Sequence, residues 1–72
     1  MDTKRLQKLM RANLTGVYLH LGEIRSAVAT AERVAEQLPR TEEARKQVER
    51  EFREVYEQLK IADEALCLLM NR

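Results

Sequence analysis

The sequence is poor in residues that interrupt helices and in residues that cross-link small proteins. Its 72 residues include one proline, two glycines, one cysteine, three aromatic side chains and no tryptophan. A single cysteine excludes an intrachain disulfide and a thiolate metal cluster. We therefore expect Cys67 to be a reduced, packed apolar side chain in a reducing compartment. The shortage of helix breakers and aromatics favours helices over strands.

Long apolar runs and a one-sided charge are also missing. No stretch approaches the roughly 18 apolar residues of a membrane span, and the start, MDTKRLQKLM, lacks the apolar core of a signal peptide. With 13 basic and 12 acidic side chains, the chain has no polyelectrolyte character. We expect a cytoplasmic protein that binds no membrane. A basic cluster near the start favours a solvated face over nucleic-acid binding; it comprises Lys4, Arg5, Lys8 and Arg11.

The single proline marks the main division of the chain. In AEQLPRTEEARK, Pro39 disfavours the helical conformation at the preceding residue, and Thr41 is a suitable N-cap. The pattern predicts a helix that ends near residue 37, a turn over residues 38–41 and a second helix over about residues 42–70.

A weaker interruption lies in ANLTGVYLHLGE, where Asn13, Thr15 and Gly16 are poor helix formers. It predicts a short first helix over about residues 3–12, a kink, and then a long helix over about residues 15–37. All these elements belong to a single domain, residues 1–72.

Apolar residues recur at alternating steps of three and four in both halves, which is the pattern of a heptad seam. They are Leu14, Val17, Leu21, Ile24, Val28, Ala31, Ala35 and Leu38, followed by Val48, Phe52, Val55, Leu59, Ala62, Leu66 and Leu69. The sequence therefore predicts an all-α, coiled-coil-like antiparallel helical hairpin. The expected register pairs residues whose numbers add up to 79 or 80, such as Ile24 with Val55 and Val28 with Phe52.

Apolar residues outside this seam predict a surface that binds another protein, because a two-helix hairpin has nothing else to cover them. Ile61, Ala65 and Leu68 form a stripe of their own on the second helix. The alternative is that the N-terminal helix folds back over part of it. The predicted partner-binding residues are Leu6, Leu9, Tyr18, Leu19, Tyr56, Ile61, Ala65, Leu68 and Met70.

No group of residues predicts catalysis or metal binding. His20 and Glu23 are three residues apart on a helix, but no second histidine accompanies them, and a solvated histidine is the better interpretation. The paired carboxylates Glu42 with Glu43 and Asp63 with Glu64 are adjacent along the chain and do not converge on a cleft. We expect no enzyme, no cofactor and no metal.

Three segments carry a resemblance to a known family. They are RLQKLM (5–10), LPRTEEARKQ (38–47) and YEQLKIADEALCLLMNR (56–72). In their order and spacing the chain resembles the small E-type co-chaperones of type III secretion needle subunits. The resemblance implies a bacterial cytoplasmic protein that pairs with a larger helical-repeat chaperone. Together the two would keep a needle subunit monomeric until export, by covering its amphipathic helix.

The residues leave two other functions open. A homodimeric four-helix bundle would cover the surplus apolar stripe with a second copy and present its basic segments to RNA or DNA. A small phage or plasmid inhibitor would instead dock one helix face on an enzyme.

Overall fold

The computed structural model describes residues 2–72 and contains two α-helices in that range. Helix α1 spans Thr3–Gln37 and helix α2 spans Glu42–Met70. The helices run antiparallel, since Tyr56 of α2 meets Glu32 of α1 and Asp63 meets Arg25. The predicted all-α helical hairpin is confirmed. Met1, the first residue of the predicted 1–72 domain, lies outside the described residues.

The turn between the helices forms where the sequence predicts it. Leu38 is extended, and its N–H donates to the carbonyl oxygen of Ala35, which also accepts from the Arg40 guanidinium at 3.1 Å. The hydroxyl oxygen of Thr41 accepts from the N–H of Ala44 at 3.2 Å and caps α2. Glu42 follows in the first turn, where the helix dipole favours negative charge.

The predicted division of the first half into helices over residues 3–12 and 15–37 is wrong, because α1 is continuous through that region. The Thr15 hydroxyl donates to the carbonyl oxygen of Arg11 at 2.8 Å, which satisfies it inside the helix. Neither Gly16 nor Gly22 has a positive φ. Poor helix formers therefore weaken α1 locally without ending it.

The register also differs from the predicted one. The side-chain contacts between the helices join residues whose numbers add up to 88 for Glu32–Tyr56 and Arg25–Asp63, and the contact of Arg11 with Arg72 adds up to 83, against 79 or 80 in the predicted pairs. Each helix consequently presents a slightly different face to the other helix than the sequence predicts. Glu32 and Tyr56 are partly covered, whereas Ala31 and Val55, which we expected in the seam, are exposed.

Helix α1 has 35 residues and α2 has 29, so the start of α1 extends past the end of α2. At 1.5 Å per residue, α1 is about 52 Å long and α2 about 44 Å. The Arg11 guanidinium donates to the carbonyl oxygen of Arg72, just past the end of α2, so α2 ends beside this part of α1. We call residues 3–13 the N-terminal overhang, and every side chain in it is exposed.

The seam between the helices contains no buried side chain. Over residues 2–72, none of the hydrophobic residues is fully buried, and the best covered ones are partly exposed. The partly covered apolar residues are Leu14, Leu21, Ile24, Val28, Ala29 and Ala35 on α1, and Val48, Phe52, Tyr56, Leu59, Ala62, Leu66 and Met70 on α2. Because most helical stability comes from packing an apolar face, the isolated hairpin has little to hold it together.

Candidate partner-binding surfaces

The most exposed apolar surface lies near the end of α2. Ile61, Ala65 and Leu68 follow one another at steps of four and three, and they form what we call the C-terminal patch. Leu68 is 67% exposed and Ile61 52% exposed. At 100° per residue these three residues lie on the side of α2 opposite Tyr56, Leu59 and Leu66, which face α1. The patch therefore points away from the hairpin seam.

The N-terminal overhang carries a second apolar surface. Leu6 and Met10 continue the line of Leu14 and Leu21 on α1, since all four share one helix face. Further along that face α2 covers the line, but on the overhang nothing does. Leu6 is 49% exposed and Leu9 beside it 53% exposed. The overhang thus presents the seam face of α1 without a second helix on it.

The alternative in which the N-terminal helix folds back over part of the C-terminal patch fails for a geometric reason. Residues 3–13 are a straight continuation of α1, and their apolar face points to the side on which α2 lies. The patch is on the far side of α2. The two surfaces therefore cannot cover each other within one chain.

Tyr18 and Leu19 are exposed, as predicted, but they belong to neither surface. Tyr18 follows Leu14 by four residues and precedes Leu21 by three, so it lies beside their line on the same side of α1, whereas Leu19 lies on the opposite side. Both residues come after residue 13 and therefore lie outside the N-terminal overhang.

Two predicted partner-binding residues are partly covered by the hairpin itself. We expected Tyr56 and Met70 outside the intrachain contacts, and for Tyr56 this is wrong. Its hydroxyl donates to the carboxylate of Glu32 at 3.2 Å, so its ring lies in the seam. Met70 is also partly covered. Both follow Leu66 and Leu59 on one face of α2, which becomes the seam face once the register shifts.

The contact with Glu32 changes the acidity of Tyr56. Partial burial raises the pKa of its hydroxyl above the ordinary value, and the negative charge of Glu32 and the hydrogen bond add to this. The folded hairpin thus favours the protonated hydroxyl of Tyr56 over the ionised one.

Sequence reasoning missed several exposed apolar side chains because it placed them in the seam. Val17, Val55 and Leu69 were expected to be covered, yet all are exposed, and so is Met10 of the overhang. The length difference between the helices could have revealed the overhang, but only if α1 had been recognised as continuous.

The charged residues form few contacts. Within residues 2–72, ion pairs join only His20 with Glu23, at 3.7 Å, and Arg25 with Asp63, at 3.9 Å. The same residues contain no group of three or more histidine, cysteine, aspartate or glutamate side chains that could hold a metal. Cys67 is exposed rather than packed as expected, because Leu66 and Met70, not Cys67, occupy the seam face.

A cleft of about 340 Å³ lies beside the turn, between the end of α1 and the start of α2. Ala35, Val48 and Phe52 form its apolar floor, and charged side chains surround it. The cleft is the open end of the seam and gives a third place where apolar side chains remain half-covered.

The described helices include none with a stretch long and apolar enough to cross a membrane. In comparisons with known proteins, neither a family model, nor a curated protein, nor a solved structure matches the chain.

Proposed function

We propose that this protein is a small binding protein without catalytic activity, a co-chaperone that pairs with a larger helical-repeat chaperone. The observation that carries the proposal is the C-terminal patch, in which Leu68 and Ile61 are more than half exposed, on a hairpin with no buried side chain among residues 2–72. A monomer seldom keeps such a surface without a use for it.

A helical-repeat partner suits the shape of this surface. The patch lies along the outer face of one straight helix, so a partner must be concave to cover it. Stacked helical repeats form extended concave surfaces of this kind. An amphipathic helix in an apolar groove is also a common mode of protein recognition.

The resemblance to the E-type co-chaperones suggests what this pairing would achieve. We propose that the pair works in the bacterial cytoplasm and keeps a type III secretion needle subunit monomeric before export. A subunit that polymerises through an amphipathic helix needs that helix covered until then, and the hairpin would stabilise the chaperone that covers it.

Co-expression tests this proposal. The chain would be produced together with the needle subunit and the helical-repeat chaperone encoded in the same genome, and the complex purified through a tag on the chaperone. We expect the three proteins to elute together with the wild-type chain. Leu68→Asp should abolish this, because it places a charge in the centre of the patch.

The matched control is Val34→Asp, which introduces the same charge at an exposed apolar position on α1, far from the patch. We expect this variant to join the complex as the wild type does. Normal capture of Leu68→Asp, or failure of the wild-type chain to bind the chaperone, would contradict the proposal.

A further inference from the structure

We infer that one edge of the hairpin is a docking groove for an amphipathic helix of a protein partner, and that this helix carries lysine or arginine along one side. The helix would make a second contact within the proposed function, on which the inference rests, at a surface separate from the C-terminal patch. The two edges of the hairpin differ in polarity, and the residues beside the apolar one specify the charge of its occupant.

One edge of the hairpin is closed by polar contacts within the chain. There the Tyr56 hydroxyl donates to the carboxylate of Glu32 at 3.2 Å, and the Arg25 guanidinium lies 3.9 Å from the carboxylate of Asp63. Glu32, Tyr56 and Asp63 are partly covered. These side chains therefore satisfy one another and leave no apolar surface uncovered between them.

The opposite edge is apolar. On α1, Val17 comes four residues before Leu21 and Arg25 four residues after it, so Val17 and Arg25 lie on opposite sides of the seam. On α2, Val55 and Asp63 flank Leu59 in the same way. Six residues at intervals of seven form what we call the apolar edge: Val17, Ile24 and Ala31 on α1, and Val55, Ala62 and Leu69 on α2.

The two rows of the apolar edge lie side by side and stay open. Residues that face each other across it, such as Val17 and Leu69, have numbers that add up to 86, between the sums of 83 and 88 for the observed contacts. Val17 is 49% exposed, Leu69 44% and Val55 42%. From Val17 to Ala31 the edge is about 21 Å long, so a third helix of about four turns would fit between the two rows.

The polar residues beside the apolar edge specify the charge of that helix. On α2 the row through Val55 is bordered by Gln47, Glu51, Glu54 and Gln58, all of them exposed. The Gln47 amide donates to the carboxylate of Glu51 at 3.3 Å, and within residues 2–72 neither Glu51 nor Glu54 takes part in an ion pair. Lysine or arginine on the occupant would complement the two glutamates.

The basic residues of the hairpin do not reach this border. Between residues 46 and 70, those of α2 lie on the sides of the helix turned away from Val55; they are Lys46, Arg50, Arg53 and Lys60. Between residues 12 and 37, α1 has only Arg25, on the closed edge, and Arg33, on the side opposite the apolar edge. The border of the groove is therefore acidic on α2 and has no cation on either helix.

This border disfavours other occupants. A nucleic acid or an anionic phospholipid surface would be repelled by Glu51 and Glu54, and a phosphate backbone would leave the apolar rows uncovered. The apolar edge of a second copy has the same border, which offers no lysine or arginine to these glutamates. A helix with apolar side chains at steps of three and four and a basic side matches both the rows and the border.

Two labelled synthetic peptides of about 18 residues test the inference. Both carry leucine at steps of three and four, with alanine and glutamine elsewhere, and along one side of the leucines one peptide has lysine and the other glutamate. Fluorescence anisotropy of each would be measured against the full chain. We expect the lysine peptide to bind at least about tenfold more tightly at low salt, with the difference shrinking in high salt. Because the net charge of the chain is +1, its overall charge does not produce this preference.

Charge reversal locates the bound peptide. Glu51→Lys with Glu54→Lys should reverse the preference, so that the glutamate peptide binds more tightly. The matched control, Glu49→Lys with Glu57→Lys, makes the same change in charge at exposed positions of α2 away from the apolar edge and should leave the preference as in the wild type.

Loss of apolar contact gives an independent comparison. Val17→Ser on α1 and Val55→Ser on α2 should each weaken the binding of both peptides, because each removes part of one apolar row. Helical circular dichroism of every variant would confirm that it still folds, and the charge variants alter only exposed polar positions.

Several results would overturn the inference. These are equal binding of the two peptides, no binding of either, an unchanged preference after reversal at residues 51 and 54, tighter binding of anionic phospholipid vesicles than of the lysine peptide, and a dimer of the wild-type chain that Val55→Ser dissociates. Leu68→Asp should bind the lysine peptide normally. A failed patch with a working apolar edge, or the reverse, would therefore show which proposal is at fault.

Discussion

Replacement of Gly16 by alanine should stabilise the protein, although the sequence pattern around it suggests a break. Gly16 lies inside the continuous helix α1, has no positive φ, and has no atom within 4 Å of the position that a Cβ would occupy. Glycine in a helix interior costs about 0.5–1 kcal/mol relative to alanine, chiefly through the entropy of the unfolded chain. Gly16→Ala should therefore raise the free energy of unfolding by about that amount.

The same reasoning applies to Gly22, which lies in the same helix with equally open space around it. The two sites are about 9 Å apart along the helix, so their effects should nearly add. For a chain of this size, 1 kcal/mol shifts the melting temperature by about 4–8 °C. Each single variant should thus melt about 2–8 °C higher than the wild type, and the double variant higher than either.

Thermal melts followed by helical circular dichroism at one fixed protein concentration would measure these shifts. Ala12→Gly is the opposite control, since it adds a glycine to the same stretch of α1 and should lower the melting temperature by a similar amount. A lower melting temperature for Gly16→Ala, with Gly22→Ala behaving as expected, would show that α1 bends at residue 16 and would refute the continuous helix.

Two further predictions concern the seam. Phe52→Ala should cost at least about 2 kcal/mol, the larger part of the roughly 3–5 kcal/mol lost at a fully buried phenylalanine, because most of the Phe52 side chain is covered, whereas the exposed Val55 should lose less than about 0.5 kcal/mol on replacement by alanine. Urea titrations of both variants check this, and equal losses would favour the predicted register over the observed one. Tyr56→Phe should be less stable than the wild type at neutral pH. Because the folded-state pKa of Tyr56 is raised, its contribution is complete below the ordinary tyrosine pKa and is lost as the pH rises through the folded-state value. The stability difference between wild type and Tyr56→Phe should therefore shrink in alkaline solution, and a difference that grows there would contradict the contact with Glu32.

The two helices and the turn were predictable because strong local signals coincide there. Pro39 disfavours helix at the preceding residue, and Thr41 accepts the hydrogen bond that a cap residue should accept. The poor helix formers near Gly16 are a weaker signal than the proline and the cap residue. Asn13, Thr15 and Gly16 each lower helix propensity by about 1 kcal/mol or less, and the cooperativity of a 35-residue helix outweighs this.

The register could not be read from the apolar pattern alone. Counting only apolar residues selects Ala31 and Val55, but the structure places Glu32 and Tyr56 in the seam, where the hydroxyl of one satisfies the carboxylate of the other. A search for hydrophobic spacing counts only apolar residues and therefore cannot identify a glutamate as part of the seam. The N-terminal overhang follows from the continuous α1 being longer than α2, so sequence reasoning found Leu6 and Leu9 as exposed residues without the reason for their exposure.

The C-terminal patch was predictable for the opposite reason. Ile61, Ala65 and Leu68 repeat at helical spacing on a face that no plausible register brings to α1, and all three are exposed in the structure.

Light scattering across a concentration series, with a thermal melt at each concentration, tests most directly whether the exposed apolar surfaces are reserved for a different chain. The account predicts a monomer at every concentration, with a broad melt whose midpoint does not depend on concentration, because no side chain among residues 2–72 is buried. A tight dimer whose melting temperature rises with concentration would contradict the account, since the surfaces would then cover each other.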